Sequence, residues 1–175
     1  MENHMITAYH RPQTLDEALA LLAQPNTLPL GGGTLLSHGT ADSVQVVDLQ
    51  LLGLDSLTKT GNNLELGATL TLQALLESSD CPVTLKSALK LEAPLNIRNS
   101  ATVAGTLVTC DGRSTFATTL LALDAKIEIR SLNNDSRTIN IGEFLPLRSS
   151  GLITSITGYW DNAGISQQLG HLEVD

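Results

Sequence analysis

The feature that most constrains this chain is a change of texture near Asn62. Before it, the residues describe a strand, helix, strand pattern. Thr14-Leu-Asp-Glu17 has the form of a capping box, with the Thr14 hydroxyl offered to an orphan amide and Glu17 reaching back to the cap. The apolar spacing of Leu15, Ala18, Leu19 and Leu22 predicts a short amphipathic helix behind it, which Gln24-Pro25-Asn26 must stop because proline cannot continue a helix. Leu28 to Leu30 then reads as a brief strand entering Gly31-Gly32-Gly33, and Val44 to Leu49 as a second strand. After Asn62 come short β segments between turn residues: Leu64 to Gly67, Ala101 to Val108, Ala125 to Arg130, Thr138 to Ile141 and Ile153 to Gly158. Helical spacing of Leu and Ala interrupts them at Thr71 to Glu77, Thr84 to Leu91 and Ser114 to Leu123. The expectation is an α+β chain of two lobes, about 1–58 and about 62–160, with 161–175 as a polar tail.

At 175 residues the chain is long enough to bury a core without staples. With 42% apolar and 16% charged residues it reads as a globular protein, and no apolar run is long enough to span a bilayer. The N-terminal residues lack a basic region followed by an apolar core, so a cytoplasmic setting is expected, with Cys81 and Cys110 as reduced, buried thiols. A net charge of −8 and 3% aromatic content argue against nucleic acid, which requires clustered cations or stacking platforms.

Two segments carry donors suited to an anion. The glycine triplet lets the backbone turn several amides into one concavity, with Thr34 and Ser37 adding hydroxyls; a simple tight turn is the alternative reading. The second is Asn96 to Leu107, where polar residues precede Gly105 and where Arg98 pairs either with an anionic ligand or, as isolated arginines usually do, within the protein. His4, His10, His38 and His171 lack metal-ligand spacing, the acidic residues form no evident catalytic pair, and no nucleophile elbow is present.

Taken in order, these segments resemble the FAD-binding domain of molybdopterin dehydrogenases, the group that includes the medium subunit of carbon monoxide dehydrogenase and the flavin domain of xanthine dehydrogenase. The resemblance runs from Tyr9-His-Arg-Pro-Gln-Thr-Leu-Asp-Glu-Ala-Leu through Leu30-Gly-Gly-Gly-Thr-Leu-Leu36, Val46-Val-Asp-Leu49, Leu66-Gly-Ala-Thr-Leu70 and Ile97-Arg-Asn-Ser-Ala-Thr-Val-Ala-Gly-Thr-Leu107. It continues through Leu120-Leu-Ala-Leu-Asp-Ala125, Gly142-Glu-Phe144 and Gly151-Leu-Ile-Thr154. It implies a small βαβ lobe beside a larger lobe with a mainly antiparallel sheet and flanking helices. It also implies FAD as cofactor, iron-sulfur and molybdopterin subunits as partners, and a relay of electrons to an acceptor such as NAD.

Carried onto this sequence, the resemblance sets Gly31, Gly32, Gly33, Thr34, Leu35 and Ser37 on one side of the pyrophosphate and Thr102, Ala104, Gly105 and Thr106 on the other. The chain departs from the family at four of its positions. Leu35 stands where the first segment has an aspartate, Ala104 and Thr106 where the second has glycine and asparagine, and Thr115 where a later aspartate falls, for which nearby Asp111 is the expected substitute. The sequence also ends before the family's further C-terminal domain. A flavin-free member of the fold, acting as a scaffold, is therefore the alternative.

Overall fold

The computed structural model describes residues 6–34, 43–131, 133, 135–148 and 151–160. The expected tail, 161–175, lies outside them, as do Leu35 and Ser37.

The first lobe is β1 (Ile6–His10), α1 (Leu15–Leu22), β2 (Thr27–Leu30) and β3 (Val44–Asp48), with the three strands parallel in the order β1-β3-β2. The Thr14 hydroxyl accepts from the Glu17 amide at 3.2 Å, and Glu17 answers by accepting from the Gln13 amide at 3.1 Å. Helix α1 ends before Pro25, and Asn26 takes a left-handed φ of 55° to turn the chain into β2. Ala18 and Leu19 bury against Val47 and Leu49, and Leu152 from the second lobe completes that core. β1 is fixed at its end by Asp48, which is buried and receives the Tyr9 phenol, the Gln50 amide at 2.9 Å and Arg11 at 3.4 Å.

In the second lobe β4 (Leu57–Thr60), β5 (Asn63–Gly67), β6 (Lys126–Arg130), β7 (Ser136–Asn140) and β8 (Leu152–Tyr159) form an antiparallel sheet in the order β4-β5-β8-β6-β7. Alternation puts Leu64, Leu66, Ile127, Ile129 and Ile156 on one face, where helices cover them. Those helices are α2 (Leu72–Glu77), α3 (Val83–Glu92), α5 (Val103–Thr109), α6 (Thr115–Ala122) and α7 (Ile141–Leu147), while the short α4 (Leu95–Arg98) buries no residue. The α+β architecture expected from the resemblance is the one observed.

One expected strand is a helix. Ala101 to Val108, rich in β-branched residues, pairs only through a single antiparallel bridge, Thr71 to Thr102, and then winds into α5. Thr102 caps the new helix by accepting from the Gly105 amide, and Val103 and Leu107, four apart, both bury. The hydroxyls of Thr106 and Thr109 donate to the carbonyls of Thr102 and Gly105, each at 2.9 Å, so the threonines satisfy themselves on the helix. Ile141, expected to close a strand, instead opens α7. Strand β4 and helices α4 and α7 carry too little periodicity to be foreseen, since each has seven residues or fewer.

Candidate functional site

The two segments singled out by their glycines and donors meet in space. β2 is an edge strand, and Gly31 and Gly32 leave its end directly against Ser100, Ala101 and Thr102. A Cβ on Gly32 would lie 1.6 Å from the Ser100 carbonyl oxygen, and one on Gly31 would lie 2.9 Å from Thr102 Oγ1. Gly33 has φ of +70°, a conformation that L side chains resist. The glycines therefore serve close backbone approach as well as turning. Among the described residues, no acceptor takes a hydrogen bond from the amides of Gly31, Gly32 or Gly33.

Thr102 is the hinge of the contact. It is buried, its Oγ1 accepts from the Gly105 amide at 3.2 Å, and Gly31 and Gly105 each present a bare Cα to that hydroxyl. Its backbone neighbours are stitched to the turn that joins β5 to α2 and to the start of α2: the Val103 amide donates to Leu70 O at 2.9 Å, that of Ala104 to Ala68 O at 3.0 Å, and that of Leu72 to Ala101 O at 2.9 Å. The second segment is thus held rigidly by the sheet lobe.

A cleft lies on each side of this contact. The first, of about 490 Å³, is lined by Gly31, Gly32, Thr69, Thr71, Ser100 and Thr102, with Asp55 as its carboxylate. The second, of about 360 Å³, is lined by Thr34, Glu92, Thr106, Cys110, Asp111, Arg113 and Ser114, among others. Both volumes are within the range of small-molecule sites. The expected residues are accordingly divided: Gly31, Gly32 and Thr102 face the first cleft, and Thr34, Thr106 and Asp111 the second. Gly105 is exposed in the first turn of α5. Ala104 lines neither cleft; it packs on the main core.

Sequence reasoning missed Glu92. Its Oε2 accepts from the Phe116 amide at 2.8 Å, from Ser114 Oγ at 3.0 Å and from Thr115 Oγ1 at 3.1 Å, while Oε1 takes a second contact with Ser114 Oγ at 2.9 Å. A carboxylate on the N-terminus of α6 is favoured by the helix dipole and by the unpaired amides there. Glu92 reaches it from the far end of α3, a separation in sequence that no local motif marks. Asp111 does not supply this carboxylate. Arg113 engages it through Nη2 at 2.7 Å and its amide at 2.9 Å, and the Arg113 hydrogen bonds hold the Asp111 carboxyl below its ordinary value. Arg98, too, is satisfied internally, donating from Nε to Gln73 Oε1 at 2.9 Å and from Nη1 to Ala93 O.

Cys81 is buried, and desolvation pushes its thiol up to about 11; Cys110 is half-buried at the second cleft. No group of three or more His, Cys, Asp or Glu among the described residues is arranged to hold a metal. No helix among them is long and apolar enough to cross a membrane.

The family model for the FAD binding domain in molybdopterin dehydrogenase matches residues 4–157. The xanthine dehydrogenase FAD-binding subunit of Escherichia coli O157:H7 is 34% identical over 139 residues, covering 71% of this chain and 46% of that protein. The corresponding putative subunit of strain K12 matches over the same extent, so the chain spans about half the length of these curated relatives. Among solved structures, quinoline 2-oxidoreductase from Pseudomonas putida 86 superposes with a TM-score of 0.81 at 18% identity, covering 93% of this chain and 61% of that one. Carbon monoxide dehydrogenase from Hydrogenophaga pseudoflava gives 0.81 at 22% identity, covering 94% and 62%. At these identities the structures establish a shared fold.

Proposed function

The chain belongs to the family of FAD-binding domains of molybdopterin dehydrogenases, and we propose that it is the flavin-holding module of a molybdenum-hydroxylase-type oxidoreductase. The single observation that carries this reading is the contact of the two glycine-bearing segments, where the amides of Gly31 to Gly33 meet no acceptor among the described residues beside the buried hydroxyl of Thr102. Backbone amides and hydroxyls fixed at a close approach suit a diphosphate, because they offer donors with little ordering cost. The residues present fit the group in one further respect: Ala104, which stands where the family has glycine, packs on the core and is clear of both clefts.

In this reading Gly31, Gly32 and Gly33 bind the diphosphate through their amides, and Thr102 orients it from the sheet lobe. Thr69, Thr71 and Ser100 add hydroxyl donors around the first cleft. Thr34 and Thr106 face the second cleft, where the remainder of an extended dinucleotide would run. Leu35 and Ser37, which follow Thr34 in the sequence, are the remaining residues of the proposed set. The flavin, when bound, supplies the electron transfer; the chain supplies binding and orientation. Iron-sulfur and molybdopterin subunits are the proposed partners, NAD the type of acceptor, and the cytoplasm the setting.

A second reading, a flavin-free member serving as a scaffold, draws on one observation. The donors of Ser114, Thr115 and Phe116 all converge on Glu92, which withdraws them from any ligand. Thermal unfolding with and without FAD separates the two. FAD at one hundred times its Kd stabilises a folded protein by about 2.7 kcal/mol, which raises Tm by roughly 5–11 °C for a chain of this size. A shift of that order with flavin absorbance supports the flavin module, and no shift with colourless protein overturns it.

A further inference from the structure

We propose that Glu92 determines which side of the glycine contact admits a diphosphate: its carboxylate fills the N-terminus of α6, leaving the side lined by Gly31, Gly32 and Thr102 for the anion. The inference rests on the flavin reading for the identity of the ligand, and on the hydrogen bonds alone for the exclusion.

The two clefts are not distinguished by formal charge. The first holds Asp55; the second holds Glu92 and Asp111 against Arg113. They differ in which donors are free. At the first, the Gly31 and Gly32 amides meet no acceptor among the described residues. At the second, the donors at the start of α6, apart from the Thr115 amide, have partners among the described residues. The Phe116 amide and the hydroxyls of Ser114 and Thr115 go to Glu92, the Ala117 amide goes to Ser114 Oγ at 3.0 Å, and the Thr118 amide to Ser114 O at 3.1 Å. Thr115 Oγ1 also lies 2.8 Å from Ala88 O, which ties the same turn to α3. Arg113, the cation lining this cleft, is paired with Asp111 at 2.7 Å. A phosphate entering there would have to expel a carboxylate that a helix terminus, two hydroxyls and an amide already hold. Glu92 is therefore a positioning residue: it acts by occupying donors and does not itself touch the diphosphate.

The distinction between occupancy and charge gives the test. Inorganic pyrophosphate, and separately FAD, are titrated into the isotope-labelled chain while amide resonances are followed, for the wild type, Glu92→Gln and Glu92→Ala. In the wild type pyrophosphate is expected to move the amides of Gly31, Gly32 and Thr102 and to leave those of Phe116 and Ala117 still. Glu92→Gln, a neutral occupant that still offers an acceptor to the Phe116 amide, should behave alike. Glu92→Ala should make Phe116 and Ala117 respond, with affinity at that site at least about tenfold above the wild type, given the strength of charge-assisted bonds to freed donors. A Phe116 amide that responds in the wild type, or stays silent in a folded Glu92→Ala protein, overturns the proposal, as does silence of the glycine amides towards pyrophosphate. The wild-type measurement stands even if Glu92→Ala does not fold. The expected pyrophosphate pattern without any response to FAD would remove the flavin reading and leave the role of Glu92 intact.

Discussion

Replacing Gly32 by alanine tests the contact on which the site depends. The added Cβ would lie 1.6 Å from Ser100 O, 2.5 Å from its carbonyl carbon and 3.2 Å from the Ala101 amide nitrogen. All three are backbone atoms, so no rotamer change relieves the clash, and to reach even 3.0 Å the segments must part by about 1.4 Å. The Ser100 backbone cannot retreat freely, because Leu72, Val103 and Ala104 amides lock its neighbours to the sheet lobe. Overpacking a rigid contact costs about 3 kcal/mol at the upper end of the usual range, which lowers Tm by roughly 6–12 °C in a chain of this length. Gly112→Ala is the control, since a Cβ there meets nothing within 4 Å and its backbone angle is not left-handed. Urea unfolding of the two variants beside the wild type gives the difference directly, and an FAD titration should find the affinity of Gly32→Ala reduced. If Gly32→Ala is as stable as Gly112→Ala, the two segments are not in contact and the site has been wrongly assembled.

Two further substitutions probe how the surrounding structure is held. Arg148 has a left-handed φ of 44° and closes the C-terminus of α5, donating to Leu107 O and, at 2.7 Å, to Cys110 O, while its guanidinium lies over Phe144. Arg148→Ala should cost about 2–3 kcal/mol, read from urea midpoints, as expected for charged hydrogen bonds to buried carbonyls; a loss below about 0.5 kcal/mol would mean that the pair of bonds is dispensable. Cys81 is protonated in the folded chain up to about 11, against an ordinary thiol value of 9.0. The unfolded chain loses that proton first, so stability is full below pH 9 and declines as pH rises towards 11. Cys81→Ala should flatten this part of the stability profile, and an unchanged slope would assign it to other groups.

Legibility followed the range of the interactions. Capping boxes, proline stops and alternating apolar residues act over a few positions, and so α1, β5, β6 and α6 could be placed from Thr14, Pro25, Leu64 to Gly67, Ala125 to Arg130 and Ser114. The glycine segments were visible as segments, but not that Gly32 needs to be glycine because of Ser100, some seventy residues later. Glu92 was invisible for the same reason: its role exists only where α3 and α6 meet. At Ala101 to Val108 the local signal itself was ambiguous, because β-branched residues favour a strand while the Thr102 cap and the Val103 and Leu107 spacing favour a helix; burial of those two side chains decided for the helix.

That helix reverses the apparent meaning of Ala104. Beside the glycine usual in the family, its methyl group reads as an obstruction to a phosphate or to a positive φ. In α5 it has neither effect: Ala104 is not among the residues of positive φ, its amide bonds Ala68 O, and its side chain packs against the core. Ala104→Gly should therefore fail to strengthen FAD binding, and it should weaken the fold. Removing a methyl from the first turn of the helix and adding backbone freedom costs up to about 1 kcal/mol, with further loss from the core contact. Urea unfolding and an FAD titration on the same preparation measure both. A variant that binds FAD markedly more tightly than the wild type would show that the methyl does reach the ligand, and that α5 does not begin at Val103 in the bound chain.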